Sequence, residues 1–581
     1  MTPTTNPISI LGINSVYHES SACLIQDGQL VAVAEEERFN RIKHGKPAKV
    51  DNADELPEQA IAFCLRSGGL DSIANVDFIG YSFEPEDRLR KNLEYRHDYT
   101  LPDADFGTIA GEQRFYNSNL SVEQKIRAMG YQGRFFYLDH HACHAASAFY
   151  VSGYEDSAVL VLDGIGEFES TTFFKGQGTR LNKIRHFEYP NSLGFLWEKI
   201  SAFLGFSPYD AAKVMGLSSY GEPGLYKNKL AQLLHIGDDG TFSIDDDLAH
   251  LRNGSFQALE NLFGTSKLDK PVSIINSETQ KYADIAVALQ IATEEIIIKL
   301  ARQLQLETGS QHLCMAGGVT LNCVANGYLS YEKIFDNFYV QPAANDAGTS
   351  IGAAYLIWHR LLGYPRQVVS KSPYLGPNYS DDQIKAALVA RGLAFRQSNT
   401  IEAETARLLA DGKIIAWFQG RMELGPRALG NRSLLADPRS KDTVELMNLK
   451  VKHREAFRPF CPSVLAERAA EWFELPEPMP EVADYMLGAF RAKKDKAHLI
   501  PAVVHFDGTS RIQAVRSDTN PKFHRLLTEM EQLTGVPVLL NTSFNDQEPI
   551  VCTPDDAITT FLKTEIDYLA IGNYLVAKSA L

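Results

Sequence analysis

AVLVLDGIGEFESTTFF (Ala158–Phe174) is an apolar run that ends on Asp163, turns through Gly164 and Gly166, and resumes as a β-rich stretch at Ser170–Phe174. The spacing predicts strand, turn, strand. The start of the chain carries the same unit. Ile8–Ile13 is apolar, Asn14–Ser21 a polar turn, and Ala22–Ile25 apolar again, before Asp27-Gly28 turns the chain into Leu30–Ala34. Two such units predict a duplicated nucleotide-binding α/β fold. Further on, apolar residues recur at helical spacing from about Ala283 to Leu306. A short strand ending at Met315, a Gly317-Gly318 turn and a helix from Leu321 are expected next. At Gly363–Ser380 the pattern breaks into Gly- and Pro-containing turns, which reads as a linker. The expected domains are therefore 1–365 and 366–581.

Composition narrows the class. The 581 residues are 44% hydrophobic and 22% charged, which excludes whole-chain disorder, collagen and coiled coil. With 57 Lys/Arg against 72 Asp/Glu the net charge is −15, a poor balance for holding nucleic acid. The same surplus hints at a cationic small substrate. No apolar run is long enough to span a membrane. The chain opens without a basic segment followed by an apolar one, and its seven cysteines include no CxxC pair. A cytoplasmic location is expected, with no disulfide framework or cysteine zinc site.

One constellation suits a metal. Asp139 is a good N-cap for DHHACHAASAF (Asp139–Phe149). His140 and His144 then lie one turn apart on one helix face, a spacing at which two imidazoles reach one ion, and His141 points elsewhere. Asp163, ending its strand, and Asp346, in AANDAG (Ala343–Gly348), are the natural further ligands. Such a set suits iron(II), manganese or zinc. His18 and Lys43, in the turns YHESS and RIKHG, could hold an anion. The Gly317-Gly318 turn and the glycines of KVMGLSSYG could let a nucleotide approach the backbone.

A second constellation is basic. Residues 411–460 hold ten Lys/Arg against six Asp/Glu, a net +4 in an acidic chain. GRMELGPRALGNRS (Gly420–Ser433) follows the strand Ile414–Phe418 and projects Arg427. KVKHREAFRP (Lys450–Pro459) adds Lys452 and Arg458. DGTSR brings Arg511, and LNTSFN (Leu540–Asn545) brings Ser543 and Asn545. Converging cations and small polar donors are what a carbamoyl phosphate or a polyphosphate needs. An RNA patch is disfavoured by few interleaved aromatics and the acidic whole.

These motifs in this order, with AEEERF (Ala34–Phe39), LDGIGE (Leu162–Glu167), AGGVTLN (Ala316–Asn322) and NDAGTSIGAA (Asn345–Ala354), resemble the O-carbamoyltransferases of nodulation-factor and antibiotic biosynthesis over nearly the whole chain. The resemblance implies an N-terminal actin/hexokinase-type domain and a C-terminal α/β domain like the threonylcarbamoyl-AMP synthases. It implies that ATP, with Mg²⁺, and carbamoyl phosphate give carbamoyl-adenylate in the C-terminal domain. The carbamoyl group then passes to a hydroxyl of a small acceptor in the N-terminal domain. By this likeness His140, His144, Asp163 and Asp346 hold one divalent metal, iron favoured, with zinc or manganese as alternatives. His18 is the candidate base and Lys43 its neighbour at the transfer centre. Arg427, Lys452, Arg458 and Arg511, with Ser543 and Asn545, cradle the phosphates. Glu19, and Ser218-Ser219 before Tyr220, depart from the family pattern and bear on acceptor contacts. The stretches from about Glu84 to Val122 and Leu225 to Thr279 carry no motif and are expected to shape the acceptor pocket. No nucleic-acid or membrane partner is expected, and a homodimer is one option for the assembly. The rival readings are a tRNA threonylcarbamoyl-type transferase and a non-catalytic nucleotide sensor of actin-like fold.

Overall fold

Short apolar runs bounded by Gly, Asn or Asp become strands because alternate side chains can be buried on the two faces of a sheet. The first sheet holds β1 (Ser9–Asn14), β2 (Ser21–Gln26), β3 (Gln29–Glu35), β4 (Phe78–Tyr81) and β5 (Arg134–Tyr137), in the order β3-β2-β1-β4-β5. β1, β2 and β3 form an antiparallel meander, and β4 and β5 continue parallel to β1. The structure is a computed structural model and describes residues 7–95, 100–102, 104–455 and 457–580. Residues 96–99 and 103 of the first motif-free stretch, and Ala456 of the basic segment, lie outside the described residues.

The second sheet begins with β6 (Asp156–Leu162), β7 (Glu169–Gln177) and β8 (Arg180–Glu188). A separate hairpin, β9 (Leu234–Ile236) with β10 (Phe242–Ile244), precedes the sheet's last members, β11 (His312–Ala316) and β12 (Asn337–Val340). The order is β8-β7-β6-β11-β12, again two antiparallel pairings followed by two parallel ones. The two five-stranded sheets thus share strand order and direction. Each is followed by a helix in the same place: His140–Ser152 after β5 and Thr349–Tyr355 after β12.

These two helices pack on each other, and the second also packs across β1, at a seam that only small residues allow. A Cβ on Gly352 would overlap the Cys143 carbonyl, and one on Gly12 the Ser350 carbonyl. The helix Gln280–Thr308, longer than its apolar pattern predicted, packs against the second sheet and ends at Gly309 with φ 62°.

The C-terminal part is a mixed sheet of β13 (Arg396–Gln397), β14 (Ile415–Phe418), β15 (Arg432–Ala436) and β16 (Cys461–Leu465), then, past the separate pair β17 (Ala489–Arg491) and β18 (Thr509–Arg511), of β19 (Gln513–Val515), β20 (Val538–Ser543), β21 (Tyr568–Ile571) and β22 (Tyr574–Ala577). Its order is β13-β22-β21-β14-β15-β20-β16-β19. One apolar core continues from the second sheet (Leu160, Met315) into this one (Leu434, Leu540). The segment 363–380 is tied to both sides. The Val33 amide donates to the Leu375 carbonyl at 3.4 Å, Arg366 to the Phe149 carbonyl at 2.9 Å, and Lys371 pairs with Glu481 at 2.8 Å.

Gly12→Ala is expected to destabilise the protein by about 1–3 kcal/mol through overpacking, seen as a lower denaturation midpoint. An unchanged midpoint would mean that the seam can yield.

Candidate functional site

The four predicted metal ligands converge. One ligand atom from each of His140, His144, Asp163 and Asp346 lies within 4.8 Å of the others. His144 Nε2 is 3.4 Å from Asp346 and 3.8 Å from Asp163, and His140 Nε2 is 3.5 and 3.8 Å from the same carboxylates. Both histidines are 0% exposed, Asp163 8% and Asp346 5%. Every member of the cluster stands just beyond the C-terminal end of a parallel strand: the histidines after β5, Asp163 after β6, Asp346 after β12. This is where open α/β sheets place ligands.

The surroundings orient these groups. Asp139 caps its helix as expected, accepting from the Ala142 amide at 2.6 Å. His140 Nδ1–H donates to the Ser82 carbonyl at 2.9 Å, which leaves the Nε2 lone pair facing the carboxylates. Glu167 accepts the His140 amide at 3.0 Å, and the Gly318 amide donates to Asp163 at 2.9 Å. Gly317, at φ 94°, sits where a Cβ would strike the Leu162 carbonyl. The glycine pair therefore positions Asp163. His141 turns away to Thr172, 2.7 Å from Nδ1, and burial pushes it down to about 3. Burial also opposes charge on His140, yet Asp346 and Asp163 outweigh it and raise this histidine above its usual range. The cluster draws positive charge. His140 Nε2 and both ring nitrogens of His144 are buried with no hydrogen-bond partner among the described residues. Two neutral imidazoles and two carboxylates with orphaned donor atoms fit a divalent transition metal.

His18 lies in the turn beside this cluster, between Tyr17 and Glu19, both at positive φ (53° and 59°). The Tyr17 ring meets His140 edge-on at 6.4 Å. The His18 ring stacks on His44 at 5.3 Å, and its buried Nδ1 has no partner among the described residues. Lys43 is exposed on the adjoining loop.

Of the six residues predicted to bind phosphates, Arg427, Arg458 and Arg511 line one cavity of about 510 Å³. The sequence reading singled out neither Arg454 nor Arg491, which join them, nor His505. Arg454 stood inside a quoted basic segment, whereas Arg491 and His505 had no local signal. The opposite wall comes from the N-terminal part, with Gly216, Cys323 and Tyr328. Burial, and then Arg511, pushes Arg427 down to about 10; burial, and then Arg458, pushes Arg454 down to about 9. Arg427 makes no hydrogen bond or ion pair among the described residues, and its Nε is buried. Lys452, Ser543 and Asn545 form a neighbouring cluster instead. The Lys452 ammonium donates to the Ser543 carbonyl (2.6 Å) and to the carbonyl and side chain of Asn545 (2.8 and 2.7 Å). Burial, with Arg454 and Arg458 close by, holds it well below the usual lysine range.

Residues 9–355 match the profile described as Carbamoyltransferase N-terminus, and residues 406–578 that described as Carbamoyltransferase C-terminus. The chain belongs to the carbamoyltransferase family. Nodulation protein NolNO of Sinorhizobium fredii is 36% identical over 570 residues, 97% of this chain and 80% of the relative. Nodulation protein NolO of Bradyrhizobium diazoefficiens is 39% identical over 446 residues, 76% and 79% of the two chains. Protein sll1178 of Synechocystis is 38% identical over 610 residues, 98% and 97%. Among solved structures, full-length HypF in its phosphate- and nucleotide-bound form aligns over 63% of this chain and 58% of its own, at 14% identity and a TM-score of 0.34, a likeness that carries no argument.

In this carbamoyltransferase two of the quoted motifs are halves of one joint. Glu35 accepts the Gly425 amide at 2.7 Å, and Arg38 donates to the Gly425 carbonyl at 2.8 Å. Arg41 reaches the Ile550 carbonyl at 2.7 Å. AEEERF thus holds the loop that carries Arg427.

Iron(II), manganese(II) or zinc(II) at roughly 100 times its dissociation constant should stabilise the protein by about 2.7 kcal/mol. His144→Ala and Asp346→Asn should abolish that gain in denaturation midpoint. A gain that survives both substitutions would place the ion elsewhere.

Proposed function

We propose that this carbamoyltransferase works in two steps at two sites. In the arginine cavity, ATP, carbamoyl phosphate and water give carbamoyl-adenylate, pyrophosphate and inorganic phosphate. At the histidine–aspartate cluster, the hydroxyl oxygen of a small acceptor bonds to the carbamoyl carbon. The C–O bond to the adenylate phosphate then breaks, and AMP leaves with the electron pair. His18 is the candidate to take the hydroxyl proton.

The observation that carries the reading is the excess of positive charge in the cavity, where five arginines line the wall with Glu294, Glu474 and Asp507 and Arg427 pairs with none of them. Guanidiniums that lower one another's pKa gain most from a phosphate, which pairs them bidentately. Charge there would be neutralised as pyrophosphate leaves. The loop joint supports the same reading, because it seats Arg427 against the N-terminal wall. A metal held by His140, His144, Asp163 and Asp346 would supply Lewis-acid polarisation of a phosphate oxygen. The matching order of the two five-stranded sheets supports a duplicated actin/hexokinase-type half. The mixed C-terminal sheet supports an adenylate-forming half of the threonylcarbamoyl-AMP synthase kind.

Pyrophosphate release dependent on carbamoyl phosphate tests the first step. Arg427→Ala should lower it by about 10²–10³-fold. His140→Ala and His144→Ala should retain it and lose transfer from supplied carbamoyl-adenylate. Normal transfer by the His140 variant would sink the assignment of the second site.

A further inference from the structure

The two motif-free stretches meet beside the metal cluster, and their meeting point is a single arginine. The Arg252 guanidinium lies 5.5 Å from the ring centre of Phe106, 5.8 Å from that of Tyr189 and 5.5 Å from that of Phe195. Phe195 in turn borders Gly164, the residue after the ligand Asp163, where an added Cβ would stand 3.6 Å from its ring.

Arg252 is held in place by its backbone. Lys199, buried on the helix Leu193–Phe203 that also carries Phe195, donates to the carbonyls of His250 (2.9 Å), Asn253 (2.7 Å) and Ser255 (2.7 Å). The Asn253 side chain donates to the Thr100 carbonyl at 3.1 Å, joining the second stretch to the first. The loop is thus fixed on both sides of Arg252.

The guanidinium itself is uncommitted. Among the described residues it makes no hydrogen bond and no ion pair, although it is half-buried. Aromatic rings satisfy the faces of a guanidinium but leave its in-plane N–H donors open. The nearby acids do not fill them. Glu112 is bound to Arg88 through two contacts of 2.8 and 2.9 Å. Glu198 faces the Arg252 guanidinium and makes no hydrogen bond or ion pair with it among the described residues. Asp163 and Asp346 face the metal position. An arginine in such a slot, one residue layer from the histidine–aspartate cluster, has in-plane donors that no described residue fills.

We propose that Arg252, framed by Phe106, Tyr189 and Phe195, recognises the carbamoyl acceptor, and that this acceptor is a hydroxylated molecule bearing an anionic oxygen group, carboxylate or phosphate. The inference rests on the two-site reading above. It reverses the expectation drawn from net charge, because the −15 is a property of the whole surface, whereas recognition depends on the charge within hydrogen-bond reach.

The full-length protein, loaded with Fe²⁺ and given ATP, Mg²⁺ and carbamoyl phosphate, is offered four acceptors: methyl β-glucuronide, glucose 6-phosphate, methyl β-glucoside and methyl β-glucosaminide. Carbamoylated product is read by mass spectrometry and pyrophosphate in the same samples. At least one anionic acceptor should show a kcat/KM about 10-fold or more above the neutral and amino sugars, the loss expected for an unmade charged hydrogen bond. Preference for the glucuronide alone identifies a carboxylate, and for glucose 6-phosphate alone a phosphate. Arg252→Met should cut that kcat/KM by about 10–100-fold, mainly through KM. It should leave pyrophosphate release and use of the neutral sugar unchanged, which a merely structural role would not. Arg252→Lys should keep part of the preference. Equal or better use of the neutral or amino sugar, no product from any of the four, or a preference intact in Arg252→Met overturns the inference. Absence of pyrophosphate release in the unmodified protein overturns the two-site reading, and the inference falls with it.

Discussion

Two carboxylates and two imidazoles share a buried space less than 5 Å across. Carboxylates brought together out of water are costly unless a cation joins them. That requirement organises the N-terminal part. The four groups sit beyond the ends of β5, β6 and β12, so both sheets must present their C-terminal strand ends to one point. The close helix seam at Gly12 and Gly352 makes this geometry available. Ser82, Glu167 and Gly318 then fix the orientation of His140 and Asp163 by hydrogen bonds from three further segments.

The C-terminal part has the opposite electrostatic problem. Its cavity gathers five arginines, and burial sharpens their mutual repulsion. The two problems are complementary in a carbamoyltransferase. One site is short of anions and the other of cations. The Glu35–Arg38 grip on Gly425 ties the two together mechanically, because the loop that carries Arg427 is anchored to the edge of the first sheet.

Several features of the site are legible in short windows of sequence. The i, i+4 histidines depend on helix periodicity alone, and Asp139 sets the phase by capping that helix. Asp163 is recognisable as the polar end of an apolar strand. The basic balance of residues 411–460 is visible by counting. The duplicated strand–turn–strand pattern is equally local, and both copies fold as meanders.

Other features have no local cause. Asp346 joins Asp163 only because β12 and β6 flank β11 in one sheet. Arg491 and His505 reach the arginine cavity from the short β17–β18 region, which no motif marks. Lys452 lies in the basic segment, yet packing sends its ammonium to Ser543 and Asn545 rather than to the cavity lining. Arg252 is one charged residue in an unremarked loop until Phe106, Tyr189 and Phe195 close around it. By itself the sequence determined the α/β class, the histidine pair, the basic segment and the family, since each is written in periodicity, spacing or motif order. The tertiary structure alone decided which distant residues share a site and which charges stay unpaired. Those depend on packing between elements far apart in the chain, and no short window of residues encodes that.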